Sequence, residues 1–178
     1  MPFTPFHMGP GIAIKAASQG SFSLMVFGWS QIIMDLQPLI ALTTGQGHLH
    51  GFSHTYVGAT LLMIVSAVSG KYLGEFGLRV LRIFSPGDAI SWRVAFLSAA
   101  IGCYSHVLLD SVMHADMAPF YPLSDANPLL RLVSVRMLHV FCVYSGLVGG
   151  GVYFWLQFRH RKAIPQQGKR DAIAFKRP

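Results

Sequence analysis

The chain has 178 residues, of which 52% are hydrophobic and only 12% are charged, and its formal net charge is +7. This is too little charge to cover a water-soluble domain of such length, so the composition indicates a membrane protein. Cys103 and Cys142 both lie in apolar runs, where thiols act as small apolar side chains, and they imply no disulfide framework.

In chain order, the first twenty residues contain one lysine and three prolines, with no apolar core ending at a small-residue cleavage site. We therefore expect them to be retained rather than removed as a signal peptide. The sequence allows two placements of this segment relative to the membrane. If Gly11–Ala17 re-enters the membrane, His7 can reach the polar site described below, and the alternative is a surface position for His7.

Four apolar runs follow, each close to the length of about 20 residues that crosses a hydrocarbon core of about 30 Å. We predict transmembrane helices at Ser21–Leu42, Gly51–Gly70, Val94–Met113 and Met137–Gln157. Pro38 is expected to kink or break the first of them. The predicted fold class is all-α, a polytopic membrane helical bundle with about four transmembrane helices and a short N-terminal helix or re-entrant segment. Residues 1–157 form the predicted membrane domain and residues 158–178 a basic tail.

Basic residues are distributed unevenly, which predicts the orientation. Lysine and arginine occur before the first span, between the second and third, and seven times after the fourth, whereas the other loops hold only Arg131 and Arg136. Both termini are therefore predicted to be cytoplasmic, in a bacterial cytoplasmic membrane. Beside a membrane helix, the basic tail is better interpreted as a topology anchor near anionic lipid than as a nucleic-acid site. The loops Thr43–His50 and His114–Arg136 then face outward.

The third span carries His106 and Asp110 at a spacing of four, which places them on one helix face, and His114 continues that stripe. Alone, this spacing favours a hydrogen bond that ties helices together. Other ionisable side chains are expected at the same depth, so that all four spans contribute to one site. Asp35 lies near the outward end of the first span, His50 and His54 open the second, Asp116 follows the third, and His139 begins the fourth.

Imidazole nitrogens and carboxylate oxygens are ligands that zinc and similar divalent ions accept in catalytic sites. A buried carboxylate such as Asp110 needs a cation or another partner, since ionisable groups are costly in hydrocarbon. A bound ion lowers the pKa of its water and polarises a phosphoryl or carbonyl oxygen, so the residues favour hydrolysis by a metal-activated water.

Through Pro122, the chain resembles the YdjM-like family of bacterial inner-membrane proteins, regarded as metal-dependent hydrolases. The matching features are His7, residues 34–38 (MDLQP), 51–55 (GFSHT), 102–110 (GCYSHVLLD) and Tyr121-Pro122. The family is distantly similar to zinc-dependent phospholipases C and single-strand nucleases, in which a His-x-x-x-Asp helix bridges zinc ions. The resemblance implies metal ligands at His7, Asp35, His54, His106 and Asp110.

The chain departs from the family pattern at two points. Gln37 stands where members often have a second acid, and Leu49-His50-Gly51 replaces a His-Arg-Gly pattern. Replacement ligands are available elsewhere in the chain: His50, His114, Asp116 and His139.

The leading hypothesis is a metal-dependent hydrolase, with zinc as the favoured ion, that cleaves a phosphoester of a lipid or small molecule at the outward face. His50 is a further metal ligand, and His114, Asp116 and His139 are second-metal or acid/base candidates. A non-enzymatic haem or metal carrier is one alternative, although carboxylates beside the histidines disfavour haem. A divalent-metal transporter is another, disfavoured because the inward halves Leu61–Val65 and Val94–Ile101 are nearly all apolar.

Overall fold

The computed structural model describes the backbone of residues 4–81 and 89–174, and the side chains of residues 6–81 and 89–160. Helices and short 3₁₀ turns make up its regular structure, and no strand occurs in these ranges. The predicted all-α fold class is therefore confirmed. The α-helices are α1 (Thr4–Ser18), α2 (Leu24–Thr44), α3 (Tyr56–Val80), α4 (Trp92–Met113) and α5 (Val135–Ala174). The proposed tail boundary at residue 158 falls within α5, and the tail's basic side chains from Arg161 onward lie outside the described side chains.

Four helices of this part of the chain are long and apolar enough to cross a membrane: α2, α3, α4 and residues 135–160 of α5. Helix α1 has 15 residues. At 1.5 Å per residue it measures about 22 Å, which is too short for a hydrocarbon core of about 30 Å. It packs mainly along α5 and also contacts α2. It is the short N-terminal helix predicted from the sequence.

Helix α2 does not break at Pro38. The helix continues to Thr44 and ends at Gly45, whose left-handed φ of 68° suits glycine and whose N–H donates to the Ala41 carbonyl at 2.9 Å. Proline removes one helical hydrogen bond, and the Pro38 ring is fully buried in the bundle, where packing compensates for that loss. Of the kink or break expected at this residue, the structure excludes the break.

Helix α3 begins later than predicted, and this corrects the positions of two histidines. The segment Phe52–His54 forms a 3₁₀ turn, and Thr55 caps α3 by accepting the Gly58 N–H at 2.9 Å. The turn folds tightly over the helix start, because a Cβ at Gly58 would lie 1.9 Å from the Phe52 carbonyl oxygen. His50 and His54 therefore precede α3 and do not share one of its faces.

Helix α4 lies at the centre of the bundle and α5 at its edge. Of the apolar window of each helix, 56% is buried in α4 and 17% in α5. Helix α5 contacts α1 far more than α4. The α1–α5 contact is close, since a Cβ at Gly9 would lie 1.8 Å from the Cys142 carbonyl oxygen. Both α1 and α5 contact the polar end of α4, where Leu109 and Val112 pack on Leu138 and Cys142 of α5, and α1 brings His7 to Asp110.

Small and polar residues bring α2 and α4 together along their length. The Ser23 N–H donates to Ser98 Oγ at 2.8 Å, and a Cβ at Gly102 would lie only 1.9 Å from Ser30 Oγ. Small residues permit such close backbone approach between membrane helices. This contact places Asp35 of α2 beside His106 of α4.

Candidate metal centre

Four ionisable side chains converge near the C-terminal end of α4. They come from α2, from the turn before α3 and from α4, and their ligand atoms all lie within 4.8 Å of one another: Asp35, His54, His106 and Asp110. We call this group the inner cluster. His106 Nε2 lies 3.2 Å from Asp110 Oδ2 and 3.4 Å from Asp35 Oδ1, and His54 Nε2 lies 3.6 Å from Asp110 Oδ2.

The inner cluster is buried almost completely. His106 and Asp110 are 0% exposed and His54 is 1% exposed. A buried carboxylate is costly unless cations or donors surround it. The ion-pair partners of Asp110 within the described residues are histidines alone, with no lysine or arginine. A divalent cation would supply the positive charge that this carboxylate needs.

The separations in the inner cluster suit metal ligands better than hydrogen bonds. Direct N–H···O hydrogen bonds measure about 2.7–3.2 Å, and the N···O distances in this cluster lie at or beyond that upper limit. Two ligands held tetrahedrally at about 2.0–2.1 Å from zinc are about 3.3 Å apart. In the described structure, His54 Nε2, His106 Nε2 and both Asp110 carboxylate oxygens have no hydrogen-bond partner. These atoms belong to a group of side chains that could hold a small cation.

Gln31 orients His106 from the side away from the cluster. Its Nε2 donates to the Gly102 carbonyl at 3.0 Å, which leaves Oε1 facing His106 Nδ1 at 2.8 Å. Because an amide oxygen only accepts, Nδ1 carries a proton, and Nε2 is the ring nitrogen that would bind a metal ion in the cluster. Metal-ligating histidines commonly have such a partner on the second ring nitrogen.

Ser53 contacts the Nδ1 atom of His54, and its hydroxyl can donate or accept there. Its Oγ lies 2.9 Å from His54 Nδ1, and its backbone N–H donates to Gln37 Oε1 at 3.0 Å, which ties the turn to α2. Burial, followed by the proximity of His106, lowers the pKa of His54 to about 3. His54 is therefore a neutral imidazole at neutral pH, which is the form that binds metals.

A second group shares Asp110 with the first. The ligand atoms of His50, Asp110 and His114 lie within 4.8 Å of one another, and we call them the outer cluster. The two imidazoles stack with ring centroids 4.2 Å apart, and Nε2 of each has no partner among the described atoms. Because a carboxylate has two oxygens, Asp110 is able to contribute to both clusters.

Asp116 supports the outer cluster. Its Oδ2 lies 2.8 Å from His50 Nδ1, so that His50 has the same arrangement as His106 and His54, with Nδ1 engaged and Nε2 facing the cluster. Burial raises the pKa of Asp116, but the hydrogen bond with His50 outweighs it and the pKa is lowered. Burial and nearby His50 lower the pKa of His114. The lowered pKa of His114 favours its neutral form, which is suited to metal binding.

His7 reaches the site on α1. Its Nε2 lies 3.4 Å from Asp110 Oδ1, its ring is edge-on to His106 at 4.6 Å between centroids, and it is 2% exposed. Of the two placements considered for His7, the surface position is therefore wrong. His7 is thus adjacent to the inner cluster through the other oxygen of the shared carboxylate.

His139 lies apart from both clusters. Its ring packs against Phe6 of α1 at 4.7 Å between centroids, and neither metal-ligand group of the described residues includes it. The expectation that all four spans contribute differs from these two groups, which contain no residue of α5. His48 is exposed in the loop after α2.

The sequence-based interpretation missed Gln31 and Ser53. Gln31 is fully buried and lies four residues before Asp35, on the same face of α2. A glutamine within an apolar run, in register with an acid, was the available signal. Ser53 carried no such signal, because serine next to histidine in a turn is common.

Two groups of histidine and aspartate side chains that could hold metal ions are therefore present in a helical protein with four candidate spans. Comparisons of the chain with protein-family models, with curated proteins and with solved structures gave no match.

Proposed function

We propose that this chain is a membrane-bound metal-dependent hydrolase that cleaves a phosphoester. The observation that carries the proposal is the convergence of the inner-cluster atoms, with His54 Nε2, His106 Nε2 and both Asp110 oxygens lacking hydrogen-bond partners among the described residues. The motif resemblance to YdjM-like proteins, noted from residues 102–110, supports the same class of reaction.

Zinc is the ion that this ligand set fits best, because the set combines imidazole nitrogens with carboxylate oxygens and contains no thiolate. Asp35, His54, His106 and Asp110 would hold one ion, and His50, His114 and Asp110 a second. When bound, such ions supply a nucleophilic water at neutral pH and neutralise charge on a phosphoryl oxygen.

The surrounding side chains prepare this site in defined ways. Gln31 Oε1, Ser53 Oγ and Asp116 Oδ2 each engage the Nδ1 of one histidine, at 2.8, 2.9 and 2.8 Å respectively. Those contacts fix the ring orientations and leave each Nε2 available as a ligand. His114 and Asp116 lie on the more accessible side, where they would meet the substrate and exchange protons with it.

A lipid phosphoester is the substrate class that the depth of the site favours. Asp110 is three residues from the end of α4 at Met113, which is near the level of lipid headgroups in a spanning helix. The basic residues Lys15, Lys71 and Arg93 belong to the opposite end, so charge asymmetry supports a periplasmic position for the site.

A non-enzymatic metal-binding protein is the second candidate, favoured by the near-complete burial of the inner cluster. A metal transporter has less support. A transport path would need polar side chains that continue from the site towards the opposite end of the bundle. The buried serines of the α2–α4 contact in that direction are already engaged in helix packing, because Ser98 accepts the Ser23 N–H and Ser30 donates to the Phe27 carbonyl.

The test uses protein purified without chelators, with metal content measured by mass spectrometry and hydrolysis measured with bis(p-nitrophenyl) phosphate. Wild-type protein should hold at least one zinc per chain and hydrolyse the ester. His106→Ala and Asp35→Asn should lose both properties, whereas His48→Ala, which removes an exposed histidine, should keep them. Metal-loaded protein without hydrolysis would support the second candidate, and wild-type protein without stoichiometric metal would contradict both.

A further inference from the structure

A cavity of about 780 Å³ lies at the end of the bundle opposite to the metal clusters. It is bounded by the C-terminal part of α1, the start of α2 and α4, and the middle of α5. The cavity is large enough for a ligand, since small-molecule sites occupy about 300–1,000 Å³. The residues that line it include Lys15, Ser23, Ser91, Val94, Gly150 and Phe154.

Apart from a few polar groups, the walls of this cavity are apolar. Phe22, Ile90 and Val94 line one part of it, and Tyr153 and Phe154 of α5 line another. In a chain that crosses a bilayer, the abundant apolar molecules at this depth are lipid acyl chains. The walls therefore match the hydrocarbon part of a lipid.

Lys15 supplies a positive charge at the cavity. Its Nζ donates to the Gln19 carbonyl at 2.6 Å and the Phe22 carbonyl at 2.7 Å, at the point where the chain leaves α1. An ammonium group has three donors, so these contacts leave one. No carboxylate of the described residues forms an ion pair with it. Burial lowers the pKa of Lys15, and an adjacent anion would offset that cost of desolvation.

This cavity is separate from the metal clusters. Val94, which lines it, precedes His106 by twelve residues on α4, and Ser23 precedes Asp35 by twelve residues along α2. Twelve residues of helix correspond to about 18 Å. A polar group bound at Lys15 therefore does not contact the inner cluster. Ligand binding in the cavity and metal binding at the clusters can be measured independently.

We propose that this cavity binds one anionic phospholipid, with an acyl chain between α2, α4 and α5 and the phosphate at Lys15. A zwitterionic lipid would fill the apolar volume equally well. Its positively charged headgroup would offset the attraction of the phosphate for Lys15, so the charge favours a lipid with net negative charge.

Two adjacent glycines of α5 provide matched variants. Gly150 lines the cavity and has no atom within 4 Å of a Cβ built on it, so leucine at this position would extend into the cavity. Gly151 has equally open space but is exposed and does not line the cavity. Gly150→Leu should therefore displace the lipid, whereas Gly151→Leu makes the same change in helix composition without filling the cavity.

The experiment measures retention of phosphatidylglycerol and of phosphatidylcholine by native mass spectrometry of the full chain, after exchange from vesicles that contain both. Wild-type protein and Gly151→Leu should keep one phosphatidylglycerol and discriminate against phosphatidylcholine. Lys15→Gln should reduce that preference about fivefold, the value of one lysine charge near a lipid surface, and Lys15→Arg should preserve it.

Gly150→Leu should lose the bound lipid while its metal content stays at the wild-type level. Equal retention of the two lipids by the wild-type protein would overturn the proposal, because the cavity would then be filled without selection. Equal effects of Gly150→Leu and Gly151→Leu would also overturn it, because the loss would then not depend on the cavity.

Discussion

The inner and outer clusters share Asp110 but differ in their environment. In the inner cluster, His106 and Asp110 have no exposed surface, and an amide and a hydroxyl contact the two histidines from behind. In the outer cluster, a carboxylate contacts His50, and the side chain of that acid, Asp116, is 54% exposed. Under the proposed function, the inner cluster would retain an ion, and the outer cluster would be the side that meets water and substrate.

Asp110→Asn should have the largest effect, because it changes the one side chain common to both clusters. In the wild-type protein, a chelator should remove the ions and lower the free energy of unfolding, by about 4 kcal/mol when the free ion was a thousandfold above its Kd. The variant should show almost no chelator effect. Thermal unfolding with and without chelator provides the measurement, and an unchanged difference would mean that Asp110 is not a ligand.

Substitutions confined to one cluster should remove the ion of that cluster alone. His54→Ala is expected to remove the inner ion, and His114→Ala to leave it in place while the outer ion and the hydrolysis are lost. Metal-to-protein ratios for the two variants, determined side by side, test this. Identical losses of metal in both would show that the clusters form one inseparable centre and not a buried and an accessible site.

Gln31→Leu should lower the affinity of the inner cluster for its ion about 10–100-fold, because His106 would lose the contact that fixes its ring and its protonated nitrogen. Gln31→Glu retains an acceptor at the same distance and should keep most of the affinity. Competition with a zinc-binding dye gives the Kd of each variant. Comparable affinities for Gln31→Leu and wild-type protein would assign Gln31 to helix packing alone.

A smaller effect is expected from pH in the metal-free protein. The pKa of His54 is lowered from 6.5 to about 3 on folding, so the unfolded chain binds the extra proton first as the pH falls. This contribution to stability is present above pH 6.5 and is lost below it, by roughly 1 kcal/mol between pH 6.5 and 5.5. Unfolding of chelator-treated wild-type protein and His54→Asn at both pH values should differ by that amount. If the stability of the two proteins depended equally on pH, the pKa of His54 would not be lowered on folding, and the imidazole would be in contact with water.

The spanning helices and the core of the site could be predicted from the sequence for simple physical reasons. A run of about 20 apolar residues has few alternatives in a membrane, so the third predicted span, Val94–Met113, differs from α4 only at its start. The spacing of His106 and Asp110 follows directly from helix geometry. Asp35 and His54 were expected at the same depth, and the structure brings both to them.

Other features depend on tertiary contacts that no local pattern encodes. The position of His7 at the site depends on the close fit of Gly9 on Cys142, which holds the short helix α1 along α5. His50 and His54 were predicted at the start of the second span because the apolar run begins at Gly51. The cap at Thr55 shows that α3 begins after both histidines. Gln31 acquires its role only through Gly102 and His106, both more than seventy positions away.

The central claim is that the inner cluster holds a metal ion, and anomalous X-ray scattering at the zinc absorption edge tests it most directly. Crystals of the full chain, purified without chelators, should show an anomalous peak about 2.0–2.2 Å from His54 Nε2, His106 Nε2 and oxygens of Asp35 and Asp110. A second, weaker peak is expected beside His50 and His114. Zinc-supplemented crystals with no anomalous peak at these side chains, and with direct hydrogen bonds between His106 and Asp110 instead, would contradict the claim.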